Sequence, residues 1–246
     1  MKSGKNWEEP ALRELMRAGL EELGVKIGDD ALALFLRYGR EMARWNERVN
    51  LTAITAPEEV IRKHFLDALS AVPWLPPGRV RLVDVGSGAG LPGLALKIAR
   101  PEIEVTLIES VKKKADFLRH AAEVLGLTGV EVRQERAEES GHVPELREAF
   151  TVATGRAVAA LPVLAELALP LVVPGGLFIA FKGPAVEEEV KGAARALAVL
   201  GGKVENVIEL VIPGGGERRT LVLVRKVAPT PAAYPRPTGR PSKKPL

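Results

Sequence analysis

The stretch Val80 to Gly93, VRLVDVGSGAGLPG, has the clearest capacity for binding chemistry. An apolar run containing Asp84 ends at Val85 and breaks into Gly86-Ser87-Gly88-Ala89-Gly90; Leu91, Pro92 and Gly93 lead into a helix-prone stretch. This order reads as a strand, a glycine turn and a helix start. Alternating glycines accept positive φ and let a ligand approach the backbone. A helix start offers unpaired N–H groups and the positive end of its dipole, and Pro92 suits a first helical position. Together these predict a cradle for a nucleotide-like ligand. Glu109 closes the next apolar run, EVTLIE, 19 residues beyond Gly90. In doubly wound sheets an acid there accepts hydrogen bonds from ribose hydroxyls.

Two frames fit the glycines. Gly88 to Gly93 satisfies G-x-G-x-x-G, the dinucleotide fingerprint. Asp84-Val85-Gly86-Ser87-Gly88-Ala89-Gly90 instead resembles motif I of the class I S-adenosylmethionine-dependent methyltransferases, with the strand running straight into Gly86. Glu109 serves both. A nicotinamide-linked oxidoreductase is therefore the competing reading, although the chain shows no Tyr-x-x-x-Lys pair for hydride transfer. A non-catalytic RNA-binding protein of the same fold is the third.

Further candidates follow the other apolar runs. Ala137-Glu138 comes where such folds hold an adenine, although a Glu-rich loop (Glu135, Glu138, Glu139) is more often simply solvated. Arg136, Arg156 and Lys182 follow the third, fourth and fifth runs and predict three cations on one sheet edge, suited to an anionic substrate. The fourth run ends Thr154-Gly155-Arg156-Ala157, without the Asn/Asp-Pro-Pro-aromatic motif of many amino-group methyltransferases. The chain has no cysteine, which excludes disulfides, thiolate metal sites and the covalent activation that pyrimidine C5 methylation needs. Acceptors that are already nucleophilic remain. Guanine N7 is one: its lone pair needs no general base, so orientation would supply most of the catalysis. Three separated histidines, 64, 120 and 142, do not suggest a metal site. His64 and Asp67 share a helix face; spacing alone favours a surface pair, with Asn50 or Thr52 as a helix cap.

The elements that must position these residues alternate. Helical periods cover about residues 7–24, 29–49 and 57–72. Strands are expected at 80–85, 104–109, 130–134, 150–154, 176–181, 203–212 and 220–227, with helices at 94–99, 112–127, 158–171 and 187–200. No helix separates the last two strands, so they predict an antiparallel hairpin. The fold class is α/β: a doubly wound, seven-stranded Rossmann-like sheet ending in that hairpin. The division expected is a helical N-terminal extension (1–78), a methyltransferase-like domain (79–228) and a tail (229–246).

The net charge is +4. The tail, PTPAAYPRPTGRPSKKPL, carries Arg236, Arg240, Lys243, Lys244, six prolines and no acid, so the rest of the chain is neutral. This composition predicts a flexible tail. Contact with RNA phosphate and a solubilising role are equally open. No long apolar run suggests a membrane span, and MKSGKNWEEP has no apolar leader core, so a cytoplasmic location is expected.

An ordered set of residues then resembles one family. Trp45-Asn46 with Asn50-Leu51-Thr52, Arg62-x-His64-x-x-Asp67, Asp84 to Gly93, Arg136-Ala137-Glu138, Thr154-Gly155-Arg156-Ala157 and Phe181-Lys182-Gly183 occur in this order. Over about residues 10–227 the chain is similar to the bacterial ribosomal RNA small-subunit methyltransferase G family, also called glucose-inhibited division protein B. The resemblance implies methyl transfer from S-adenosylmethionine to N7 of one guanine in the decoding-region loop of 16S rRNA, free or in a 30S particle, by a monomer. It implies cofactor contacts at Gly86, Leu91, Glu109, Ser110, Val111, Ala137, Glu138 and Arg156, beside Asp84, Gly88 and Gly90 of the loop. Asn50, His64, Arg136, Arg156 and Lys182 become substrate-side or orienting residues, with no acid–base pair required. The basic tail lies outside this pattern.

Overall fold

A computed structural model describes Trp7 and residues 10–246. Residues 1–6 and 8–9, which include most of MKSGKNWEEP and the first turn expected of the first helix, lie outside the described residues. The helical half comprises α1 (Pro10–Glu22), α2 (Asp29–Asn46) and a helical stretch made of α3 (Pro57–Val60), a π-helical turn (Ile61–Leu66) and α4 (Asp67–Leu69). From β1 (Arg81–Val85) the chain alternates: α5 (Gly93–Ala99), β2 (Glu104–Ile108), α6 (Lys112–Val124), β3 (Val130–Arg133), α7 (Ala137–Ser140), β4 (Phe150–Arg156), α8 (Leu161–Ala168), β5 (Val172–Lys182) and α9 (Glu187–Leu200). The hairpin β6 (Gly202–Val211) and β7 (Arg218–Lys226) follows, and α10 (Arg240–Lys243) closes the chain.

The seven strands lie in the order β3-β2-β1-β4-β5-β7-β6. The first five pair in parallel, and β7 runs antiparallel to both β5 and β6. Helix-connected strands must be parallel, whereas Pro213 to Gly216 can turn only a hairpin. The order reverses between β1 and β4, so their carboxyl ends flank the crevice where ligands of such sheets bind.

Alternation along the strands splits the core. Leu82 and Val105 face an apolar cluster shared with α1, α2, the 57–69 stretch, α5 and α6; Val83 and Val85 face a second, under α8 and α9. The N-terminal helices therefore close one face of the sheet. Phe65 packs against Phe35 (5.1 Å) and stacks on Tyr38 (5.3 Å) at that seam.

The C-terminal segment departs from the sequence expectation. Residues 229–246 were expected to be flexible; they pack back along the second core, which Tyr234 and Leu246 join. Arg147 reaches the carbonyl oxygens of Thr230 (2.8 Å) and Tyr234 (2.8 Å), and Arg236 pairs with the fully buried Glu166 at 2.6 Å. Composition registers the lack of apolar residues, not the carbonyl groups that a Pro-rich segment offers to buried cations. Two smaller differences bear on the site. Residues 137–140 form a helical turn where a solvated loop was a strong alternative, and β4 extends through Arg156, which ends the strand instead of following it.

Candidate functional site

The glycine loop leaves β1 with Gly86, Gly88 and Gly90 all at positive φ (69°, 57° and 83°). The three do different things. A Cβ on Gly86 would lie 2.8 Å from the Val158 side chain, and one on Gly90 would lie 2.6 Å from Leu94 and 2.7 Å from the Tyr38 hydroxyl. At Gly88 the nearest atom would be Gly86 O at 3.9 Å. Gly86 and Gly90 are thus closed by protein, while Gly88 faces open space.

Asp84 is completely buried beneath this loop. Its carboxylate accepts the Gly93 N–H at 3.1 Å and the Thr154 hydroxyl at 2.8 Å. Burial pushes its pKa up to about 6 against the pull of those hydrogen bonds. Asp84 was a candidate cofactor contact; its burial makes it a brace of the loop. The expectation of unpaired N–H groups at the helix start is corrected too. Gly93 donates to Asp84, Leu91 to Ser87 O (3.1 Å) and Leu94 to Gly90 O (2.8 Å). Pro92 caps α5 and Gly93 is its first residue. A dinucleotide must set its pyrophosphate at this helix start. A carboxylate already lodged there repels it.

Glu109, at the end of β2, turns both oxygens to backbone: Oε2 accepts the Gly88 N–H at 2.9 Å and Oε1 the Val111 N–H at 2.7 Å. Each carboxylate oxygen has a second lone pair, so this clamp leaves capacity for a hydroxyl donor. Next to it Val111 is 48% exposed, an apolar side chain at the rim, with Ser110 half-buried between them. Across the edge, α7 starts at the buried Ala137, with Glu138 half-buried and Arg136 exposed. Leu91 is buried.

Behind β4, Arg156 binds the N-terminal helices. Its guanidinium donates to Asp67 Oδ2 at 2.7 Å, to Lys63 O at 3.1 Å and to His64 Nδ1 at 3.2 Å. Guanidinium nitrogens only donate, so His64 Nδ1 accepts and Nε2 carries the proton, donating to Thr52 Oγ1 at 2.7 Å. Burial, then the Arg156 charge, lower the His64 pKa to about 4, keeping the ring neutral. Asp67 is buried between two guanidiniums, with Arg219 of β7 3.5 Å from its other oxygen. The π-helical turn carries His64 in this network; such turns frequently mark functional sites. Ala157 follows at φ 56°, a conformation that L residues rarely adopt, so the turn behind Arg156 is strained.

These distances correct several expectations. His64 and Asp67 are buried and joined through Arg156, not a surface pair. The three-cation edge does not form: Arg156 is paired with Asp67, and Lys182 donates to Ala159 O and Glu189 (both 2.7 Å), leaving Arg136 as the exposed member. Lys182 thereby ties down the loop after β4 and does not present its charge to a ligand. Asn50 is exposed on a loop organised by another asparagine: Asn46 accepts from Leu51 N (2.8 Å) and Thr52 N (3.0 Å) and donates to Thr52 O (2.9 Å). Sequence reasoning missed Tyr38, whose buried hydroxyl donates to Ala89 O in the glycine loop, and Arg219. Tyr38 fits the helical apolar period of residues 29–49, and no local signal distinguishes a tyrosine whose hydroxyl crosses to a loop 51 residues away.

A profile of the family described as rRNA small subunit methyltransferase G (GidB) matches residues 31–221. The chain is 49% identical to the ribosomal RNA small subunit methyltransferase G of Symbiobacterium thermophilum, over 96% of this chain and 98% of that protein. It is 50% identical to that of Roseiflexus castenholzii, over 91% and 95%. Among solved structures, a SAM-dependent methyltransferase from Aquifex aeolicus superposes with a TM-score of 0.51 at 19% identity, over 69% of this chain and 93% of that one. A geranyl diphosphate methyltransferase bound to sinefungin gives 0.52 at 15%, over 65% and 76%. The structural likenesses establish the fold, and the sequence matches establish the family: the chain belongs to the rRNA small subunit methyltransferase G family.

Proposed function

We propose that this protein transfers a methyl group from S-adenosylmethionine to N7 of a guanine in the decoding-region loop of 16S rRNA. The family match carries the RNA substrate, and the observation that carries the cofactor is the pairing of an open Gly88 with an Asp84 carboxylate that takes the Gly93 N–H at the helix start. The loop has room for a ligand above Gly88, while Asp84 holds the Gly93 N–H and sets a carboxylate under the helix start, which favours the sulfonium cofactor over the pyrophosphate of a dinucleotide. The residues present fit it. Glu109 would take the ribose hydroxyls, Val111 and Ala137 would flank the flat adenine, and Ser110 and Glu138 would offer polar groups to its edge.

When bound, S-adenosylmethionine supplies an electrophilic methyl, which the N7 lone pair takes as the carbon–sulfur electrons return to sulfur. N7 carries no proton, so the chain needs no base. His64, neutral and fixed between Thr52 and Arg156, serves as an orienting group. Arg156 orients the site wall, and of the expected substrate-side residues Arg136 and Asn50, both exposed, can meet RNA. The same reading has a monomer acting in the cytoplasm on free rRNA or a 30S particle. Among the described residues no helix is long and apolar enough to cross a membrane.

The test is incubation with methyl-labelled S-adenosylmethionine and 16S rRNA or 30S particles lacking the modification. Label on guanine N7 of the decoding-region loop is the expected result; RNA without label there overturns the reading.

A further inference from the structure

The docked C-terminal segment has a second consequence. Its four cations are not equivalent. Arg236 is consumed internally, donating to Glu166 Oε1 (2.8 Å) and Oε2 (2.6 Å). Arg240, Lys243 and Lys244 are exposed, and among the described residues none has an acidic partner. The arm that carries them is pinned along its length. Arg147 takes Thr230 O and Tyr234 O, His142 donates to Pro235 O at 2.7 Å, and the Pro235 ring closes over Gly141. Its last hydrogen bond to the body is from the Gly239 N–H to Glu138 Oε1 at 3.0 Å, beyond which Pro241 is buried and Leu246 packs against the second core. Arg240 therefore begins one residue from the turn that borders the cofactor site, and Arg136, also exposed and unpaired, precedes that turn by one residue.

We propose that this arm is a preorganised platform for RNA phosphate: Arg240, Lys243 and Lys244, together with Arg136, line the rim beside α7 and take the backbone of the substrate RNA. The proposal rests on the rRNA-methyltransferase reading for the identity of the RNA. The charge balance favours it, because the chain before residue 229 is neutral and the tail holds the whole excess of +4. Fixing three cations in place beforehand spares part of the ordering cost that a free tail meets on binding. Holding them by Glu138 puts phosphate contacts beside the cofactor, where a base must be presented.

The test uses the full chain carrying Arg240→Gln, Lys243→Gln and Lys244→Gln together. These side chains have no hydrogen-bond or ion-pair partner among the described residues, so melting temperature and S-adenosylhomocysteine affinity are expected to stay unchanged. RNA affinity, measured from about 50 to 200 mM salt, is expected to lose about two from the slope of log K against log salt, and at about 50 mM to drop on the order of a hundredfold. Lys243→Arg with Lys244→Arg is expected to keep the wild-type slope. A second variant, Arg147→Gln with Arg236→Gln and Glu166→Gln, cuts the arm's side-chain ties on both sides of Pro235 without touching the three cations; limited proteolysis is expected to show the arm released, and binding to weaken several-fold with the slope retained. An unchanged slope in the triple variant overturns the proposal, and unchanged affinity in the freed arm overturns its preorganisation. Methylation by the wild type reports separately: RNA that binds through the arm but is not methylated counts against the function and leaves the platform standing.

Discussion

His64 and Asp84 both feel the Arg156 charge and respond to acid in opposite senses. The unfolded chain protonates a histidine below about pH 6.5, the folded one only near 4. The unfolded state therefore binds more protons between these values. The stability from a neutral His64 is complete above about pH 6.5 and lost as pH falls toward 4. Asp84 is raised to about 6, so the fold keeps a proton that the unfolded chain releases near 4, and its contribution declines as pH rises from 4 to 6. The two dependences offset in wild type. In His64→Gln only the Asp84 term remains. The wild-type-minus-variant stability from urea melts is therefore expected to grow by about 1 kcal/mol per pH unit between 4 and 6. A difference independent of pH would place the ring in an ordinary solvated state. At Asp67 the argument is charge pairing. Asp67→Asn leaves Arg156 buried without its 2.7 Å partner. A cost of about 3 kcal/mol in stability is expected, with a drop in kcat/KM that Asp67→Glu partly restores. The HxxD spacing was visible in the sequence; that a strand-end arginine 89 residues away would join the pair was not.

At the scale of elements, the glycine loop is held from three sides: by Asp84 below, by Glu109 from β2 and by Tyr38 from α2. Gly88→Ala puts a Cβ into open space at φ 57°. It is expected to cost only the left-handed backbone strain, about 1–2 kcal/mol, yet to weaken S-adenosylhomocysteine at least tenfold by calorimetry. Equal losses for Gly88→Ala and Gly90→Ala would mean that Gly88 is not the open position. Tyr38→Phe removes the hydroxyl that donates to Ala89 O. A loss of about 1 kcal/mol in stability is expected, together with weaker cofactor binding, since the N-terminal helices then no longer fix the loop. The order of strands and helices was legible because apolar periods of two and 3.6 residues are local properties. The ties between loop and helix were not, because hydrogen bonds across 51 or 70 residues leave no periodic trace.

For the whole molecule, the N-terminal helices, sheet and C-terminal arm form one packed body. Ending the chain at residue 228 strips Glu166 of Arg236 and leaves a fully buried carboxylate unpaired. It also removes the Thr230 hydroxyl from the buried Lys226, whose burial already lowers its pKa to about 8. A stability loss of at least 3 kcal/mol is expected for this truncation, read from the guanidinium midpoint. A truncated chain as stable as wild type would show that the arm is merely an appendage.

The sequence by itself determined the sheet, its antiparallel end, the glycine cradle with Glu109 beside it and the resemblance that led to the family. These follow from residue type and short spacing, which act locally. It also singled out most of the charged residues of the site, Arg219 and Glu189 excepted. Only the tertiary structure decided which of those charges are already paired within the protein. Arg156 and Lys182 are neutralised by Asp67 and Glu189, Asp84 fills the helix start, and a tail that composition describes as flexible becomes a fixed arm. A charge's availability depends on what lies within a few ångströms, and chain folding sets that neighbourhood from residues far apart in sequence.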